Sequence, residues 1–192
     1  AASLEELKQQ HPKKAAKITI IQGDANKILM DWCKKQDWRY KRAVVLLDPF
    51  GMQVEWKLLE AIASTKAIDL WLLFPIGLGP MRLLTKDNFP CPEWCECLTR
   101  CFGTKDWETF YEKETQSDFF EEQTKVSRVA GFEEISLFAI ARLKSIFPAV
   151  SQNPLVMKNS RNNPMYLFCF AASNERRAKT ALKIANHILK SG

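Results

Sequence analysis

Two apolar runs separated by a helix-length segment constrain this chain more than any other feature. The runs are AVVLLDPFG (43–51) and AIDLWLLFP (67–75). Both are strongly apolar, with Asp69 the one charge inside the second, and both are stopped at or just before proline, which is how a strand buried on both faces reads. Between them, Trp56 to Ser64 places Leu58, Leu59, Ile62 and Ala63 at helical spacing. Strand, helix and strand joined by short links make a βαβ unit, with parallel strands and a right-handed crossover.

The flanking segments extend that logic. KITIIQGD (17–24) is a β-branched run ending at Gly-Asp, a further strand and its exit. Asn26 to Lys35 reads as a helix with Ile28, Leu29, Trp32 and Cys33 on one side. From Met81 to about Gly131 the chain turns charged, aromatic and cysteine-bearing, and a helical insertion is expected there. Phe132 to Phe147 predicts another helix. Leu155–Lys158 and Met165–Ala172 are strand-like around turn chemistry at 159–163, so a hairpin should bring one antiparallel strand into the sheet. Glu175 to Lys190 predicts a closing amphipathic helix on Ala178, Leu182, Ile184, Ala185 and Leu189. The expected fold is α/β, a single domain over residues 1–192 with its insertion at about 81–131. Ser3 to Gln10 already reads as a helix marked by Leu4 and Leu7, so the chain is expected to open inside an element, with a piece missing upstream.

Composition narrows the classes. The 192 residues suffice for one real core, and 46% hydrophobic with 26% charged residues is ordinary for a globular chain. The net charge of +6 is compatible with nucleic acid without requiring it. No apolar run approaches the length of a membrane span, and the first residues lack the apolar core of a signal peptide. Six cysteines in a chain of this size suit free thiols in a reducing compartment, so a cytoplasmic protein is expected.

An open parallel sheet whose last strand enters as a hairpin is the pattern of class I S-adenosylmethionine-dependent methyltransferases. In that Rossmann-like frame the strands here would be the third to the seventh, and the first two would be absent. Ligands of open α/β sheets bind outside the carboxyl ends of the strands. Gly23, Asp24, Ala25 and Asn26 would then meet the cofactor, S-adenosylmethionine, with Asp24 accepting from the adenine amino group. Asp24 also suits the N-cap of the following helix, and the two roles can coexist.

Asp48-Pro49-Phe50-Gly51 follows the next strand. It resembles the Asp/Asn-Pro-Pro-Tyr/Phe loop of methyltransferases that act on exocyclic amines. An aromatic amine is a poor nucleophile because its lone pair is delocalised into the ring. An acceptor at Asp48 or the Pro49 carbonyl can bond its hydrogens and favour the pyramidal nitrogen. Phe50 can stack the base, and Gly51 can admit close backbone approach. The alternative is an ordinary Pro-Gly turn. Trp56, Phe74 and Pro75 are the candidate walls of the acceptor cleft.

LLDPFGMQVEW, IDLWLLFP, FGTKDWETFY and NNPMYLFCFAAS together resemble the three-Cys-motif partner family, TcmP. The resemblance implies a methyltransferase-like domain. It also implies a partner, a three-Cys-motif protein similar to radical-SAM enzymes. Two functions follow as expectations: N-methylation of an exocyclic amine of a nucleic-acid base, or a non-catalytic module that docks the partner through the aromatic-rich insertion.

Other features have competing readings. FPIGLGP (74–80) holds a lone Gly-x-Gly, which would be the glycine-rich loop of a circularly permuted methyltransferase, but more simply Phe74-Pro75 ends a strand whose loop borders the acceptor cleft. Cys91, Cys95, Cys97 and Cys101 could hold a metal, but the spacing is wrong for Cys-x-x-Cys knuckles and helical packing of thiols explains it as well. His11 and His187 have no triad context. Basic segments at Lys13–Lys17, Lys34–Arg42 and Arg176–Lys183 are solvated faces or, with Trp38 and Tyr40 interleaved, contacts for phosphates.

Overall fold

The computed structural model describes residues 2–117 and 122–190. Residues 1, 118–121 and 191–192 of the expected domain, four of them inside the expected insertion, lie outside the described residues. The fold is mixed α/β with eight α-helices and a mixed sheet among the described residues. No helix described is long and apolar enough to cross a membrane.

Helices α1 (Ala2–Gln9), α2 (Pro12–Ala15) and α3 (Ala25–Lys35) come first, and β1 (Ala43–Leu47) follows. Helix α4 (Trp56–Ser64) then returns the chain to β2 (Ile68–Phe74), which pairs parallel to β1. The predicted βαβ unit is therefore present. Helices α5 (Pro80–Leu83) and α6 (Pro92–Phe102) and a 3₁₀ turn (Asp106–Phe110) lead into an antiparallel pair, β3 (Tyr111–Ser117) and β4 (Glu122–Arg128). Helix α7 (Phe132–Ile146), β5 (Ala149–Val150), β6 (Leu155–Lys158), β7 (Pro164–Ala172) and α8 (Ala178–Lys190) complete the chain. The main sheet runs β1-β2-β7-β5, with β6 also pairing β7. Strand β7 is antiparallel to β2, β5 and β6, as expected of the hairpin.

Alternation along β2 and β7 explains the two layers. Ile68, Leu70 and Leu72, with Leu167, Cys169 and Ala171, face the larger core beneath α4, α6 and α7. Phe170 and Ala172 face the other way, with Trp71 and Phe168, onto Ala178, Ala185 and Leu189 of α8. Period-two side chains on a strand covered on both faces produce this division. Trp71 stacks on Phe168 at 5.0 Å and fixes the smaller layer.

Several expectations need correction. Residues 17–24 form no strand, and Ile21 is 65% exposed. A strand needs a neighbouring backbone to bond, and the outer edge of β1 is unpaired among the described residues. Strand β1 is not buried on both faces either, because only one of its faces is packed on the core. Val45 and Leu47 point into the core, while Val44 and Leu46 are 67% and 61% exposed. The insertion is not wholly helical, because its second half is the β3–β4 hairpin. Helix α8 begins at Ala178 and not Glu175, and Ile184 faces outward.

Candidate functional site

Strand β1 ends at Leu47, and the chain turns outward at Asp48. A cavity of about 730 Å³ opens there, at the carboxyl end of the strand. Gly23, Asp24, Ala25 and Asn26 line one side of it. Asp48, Pro49 and Phe50 line another. Leu29, Leu46, Leu47, Val54 and Leu58 supply its apolar surface. Two segments separated by more than twenty residues of sequence thus share one concave surface, of a size that holds a drug-sized ligand.

Local chemistry fixes the first segment. Asp24 caps α3: its Oδ1 accepts from the backbone N–H of Asn26 at 2.9 Å and of Lys27 at 3.4 Å. A side-chain acceptor at this place satisfies amides that have no partner within the helix. Asp24 Oδ2 stands 3.9 Å from the exposed Lys27 ammonium. Asn26 then uses both ends of its amide. Its Nδ2 donates to the Gln53 carbonyl at 2.8 Å, and its Oδ1 accepts from the Glu55 N–H at 3.0 Å. The start of α3 is thereby tied to the loop that follows Asp-Pro-Phe-Gly.

The second segment is open. The Asp48 carboxylate is exposed and has no hydrogen bond or ion pair among the described residues. Phe50 is 87% exposed at the rim. Gly51 has φ +63°, a left-handed backbone that favours glycine, with open space where a Cβ would stand. It turns the chain and leaves its backbone open on that side.

No family model, no curated protein and no solved structure matches the chain. The functional argument therefore rests on the geometry.

Other candidates lie elsewhere. Phe74 and Pro75 are buried beneath the loop, where Phe74 packs on Phe102 at 5.9 Å, and neither lines this cavity. Trp56 is a core residue under the stacked Arg142 guanidinium, 4.8 Å from its ring, and borders a neighbouring cleft instead. Its indole N–H has no acceptor among the described residues. The Gly-x-Gly of 77–79 is a packing turn. Gly77 donates to the Met165 carbonyl at 3.1 Å and lies so close to β7 that a Cβ would overlap the Pro164 carbonyl oxygen.

The four insertion cysteines spread along α6. Cys91 is exposed at its N-cap, Cys95 and Cys97 are half-buried, and Cys101 is in the core, where burial pushes its thiol up to about 12. Among the described residues no three His, Cys, Asp or Glu side chains gather in a way that could hold a metal ion.

Two of the three basic segments sit at the wrong end of the sheet for this cavity. Arg42 and Arg177 border a notch with Val44 and Asp69 at the amino end of β1. Strand β1 has five residues, so roughly 16 Å separate that notch from Asp48. Trp38 is engaged internally, donating to the Cys33 carbonyl at 2.7 Å and meeting Trp32 edge-on at 4.9 Å. The cation that does line the cavity is Arg100, from α6. Sequence reading missed it, along with Gln53 and Glu55. No local pattern marks Arg100, because α6 reaches the site only through the fold.

Proposed function

We propose that the chain is a methyltransferase-like domain of the TcmP kind that methylates an exocyclic amine with S-adenosylmethionine, the acceptor being a nucleic-acid base. The observation that carries this reading is the shared cavity, with Gly23–Asn26 and Asp48–Phe50 on its walls at the carboxyl end of a parallel strand. The sheet supports it too. Its last strand enters as a hairpin and lies antiparallel beside β2, as a Rossmann-like class I frame requires.

The wall suits the adenine end of the cofactor. Asp24 keeps one carboxylate oxygen outside its cap, and Leu29 and Leu46 offer apolar contact to a ring. Gly23 is the one glycine in the described wall, so no glycine-rich turn meets the methionyl end. When bound, the cofactor supplies an activated sulfonium methyl. The protein's part is positioning. Asp48, free of internal partners, accepts from the acceptor amine and holds its lone pair out of the ring plane. Phe50 stacks the base, which reaches the site once it leaves its own stack. Most of the acceleration expected of such a site comes from orientation.

The alternative function, docking of a three-Cys-motif partner through the insertion, has less support. Phe102, Trp107 and Phe110 are buried in the core, and Phe89 and Trp94 are left partly exposed at 39% each. The methyltransferase reading is tested by calorimetric titration of the protein with S-adenosylhomocysteine, alongside methyl transfer by wild type and Asp48→Ala. The expected result is binding by both proteins and loss of transfer by at least a hundredfold in the variant. Transfer by Asp48→Ala at the wild-type rate would sink the assignment.

A further inference from the structure

A second cavity, about 660 Å³, lies between α4 and α6. It meets the first at Glu55 and Arg100, which line both. Trp56, Pro92 and Gly103 give it uncharged surface, while Glu60, Glu96 and Glu108 bring carboxylates and Lys57 and Lys105 bring cations. Among the described residues none of these charged groups is ion-paired, and Arg100 has neither a hydrogen bond nor an ion pair. A cleft of ligand size thus continues the candidate site, with an unpaired guanidinium at the junction.

We propose that this α4–α6 cleft is a second nucleotide subsite, in which Arg100 holds the phosphate between the target nucleotide and its neighbour and the cleft receives the neighbour's base. The inference rests on the acceptor reading given above. A guanidinium fork matches phosphate geometry and is always charged. The carboxylates exclude a long track of phosphates through the cleft but suit one base, since an amino-bearing base can donate to Glu60 or Glu96. The exposed ring of Pro92 offers apolar contact to the face of a base. The acceptor is therefore a single-stranded or locally opened strand, and the cleft favours adenine or cytosine over thymine beside the target.

The test is fluorescence anisotropy with labelled single-stranded hexamers of oligo(dA), oligo(dC) and oligo(dT), run with the matching RNA hexamers. Wild type is expected to bind the adenine and cytosine hexamers more tightly than the thymine or uracil ones. Arg100→Ala should weaken binding by about tenfold and reduce the salt slope by about one phosphate contact, and Arg100→Lys should recover part of the loss. Glu60→Gln combined with Glu96→Gln should narrow the preference between bases. Arg100 is exposed, so its variants are expected to keep the wild-type thermal midpoint. Equal binding by Arg100→Ala, or no hexamer bound by wild type, overturns the proposal. Parallel titration with S-adenosylhomocysteine separates the two claims. Arg100-dependent hexamer binding without cofactor binding retains the subsite and removes the methyltransferase reading. Methyl transfer with an unchanged acceptor KM in Arg100→Ala does the reverse.

Discussion

Asn26 and Glu55 meet across the mouth of the candidate site: Asn26 Oδ1 accepts the Glu55 backbone N–H at 3.0 Å, while the same amide donates to Gln53. One side chain therefore sets the distance between the capped start of α3 and the loop carrying Asp48. Asn26→Ala removes both bonds and leaves the partly buried Glu55 N–H, with the exposed Gln53 carbonyl, to find water. A loss of about 1–3 kcal/mol is expected, read as a lower urea midpoint with an unchanged slope. Asn26→Asp keeps the acceptor, loses the donor and adds a charge beside Glu55, so it should not restore wild-type stability. A midpoint equal to wild type in Asn26→Ala would show that the bridge contributes nothing.

Gly77 tests the packing of the loop after β2. Its N–H bonds Met165, and the Pro164 carbonyl occupies the place a Cβ would need. The obstacle is backbone, which cannot rotate aside. Gly77→Ala should cost at least about 1–3 kcal/mol through overpacking. Gly51→Ala meets open space and bears only the strain of a left-handed backbone, so it should cost less, about 1 kcal/mol. Thermal midpoints of the two variants check the order. Gly51→Ala proving the more damaging would contradict it.

These residues also show which parts of the structure were legible in the sequence. The βαβ unit, α7 and the β6–β7 hairpin follow from periodicity and turn residues, which are local signals. Asp24 was readable as a cap because capping is local too. The exposure of Val44 and Leu46 was not, since an apolar run looks the same at a sheet edge as at its centre. Nor was the β3–β4 hairpin, whose described strands, such as EQTKVSR, are polar and lack the apolar alternation that marks a strand. Arg100 and the Asn26 bridge are long-range consequences of packing, with no signature in the residues around them.

The cysteines predict an order of reactivity. Cys91 is exposed, whereas burial raises the thiols of Cys33, Cys101 and Cys169, the last two to about 12. Thiolate is the reacting form, so burial protects twice, by access and by protonation. In brief alkylation of the native protein near pH 8, Cys91 should label first and Cys101 and Cys169 last. Peptide mass mapping reads the order. Early labelling of Cys101 would mean that α6 is not packed on the core as described.

Asp69 predicts a pH dependence at the other end of the sheet. It lies half-buried on β2, between Val44 and Ala172, and burial holds its carboxyl above the usual carboxylate range. Arg42 and Arg177 border the same notch, yet neither forms an ion pair with it among the described residues. A group whose pKa is raised by folding favours the folded state most when protonated. That contribution is complete below the unfolded value, about 3.9, and is lost as pH rises through the folded one. At neutral pH wild type therefore carries a desolvated charge that Asp69→Asn lacks. The variant should have the higher urea midpoint near pH 7, and the difference should shrink toward zero as pH approaches about 4. A variant less stable than wild type at neutral pH would mean that the charged carboxylate is favourably paired with Arg42 or Arg177 in solution.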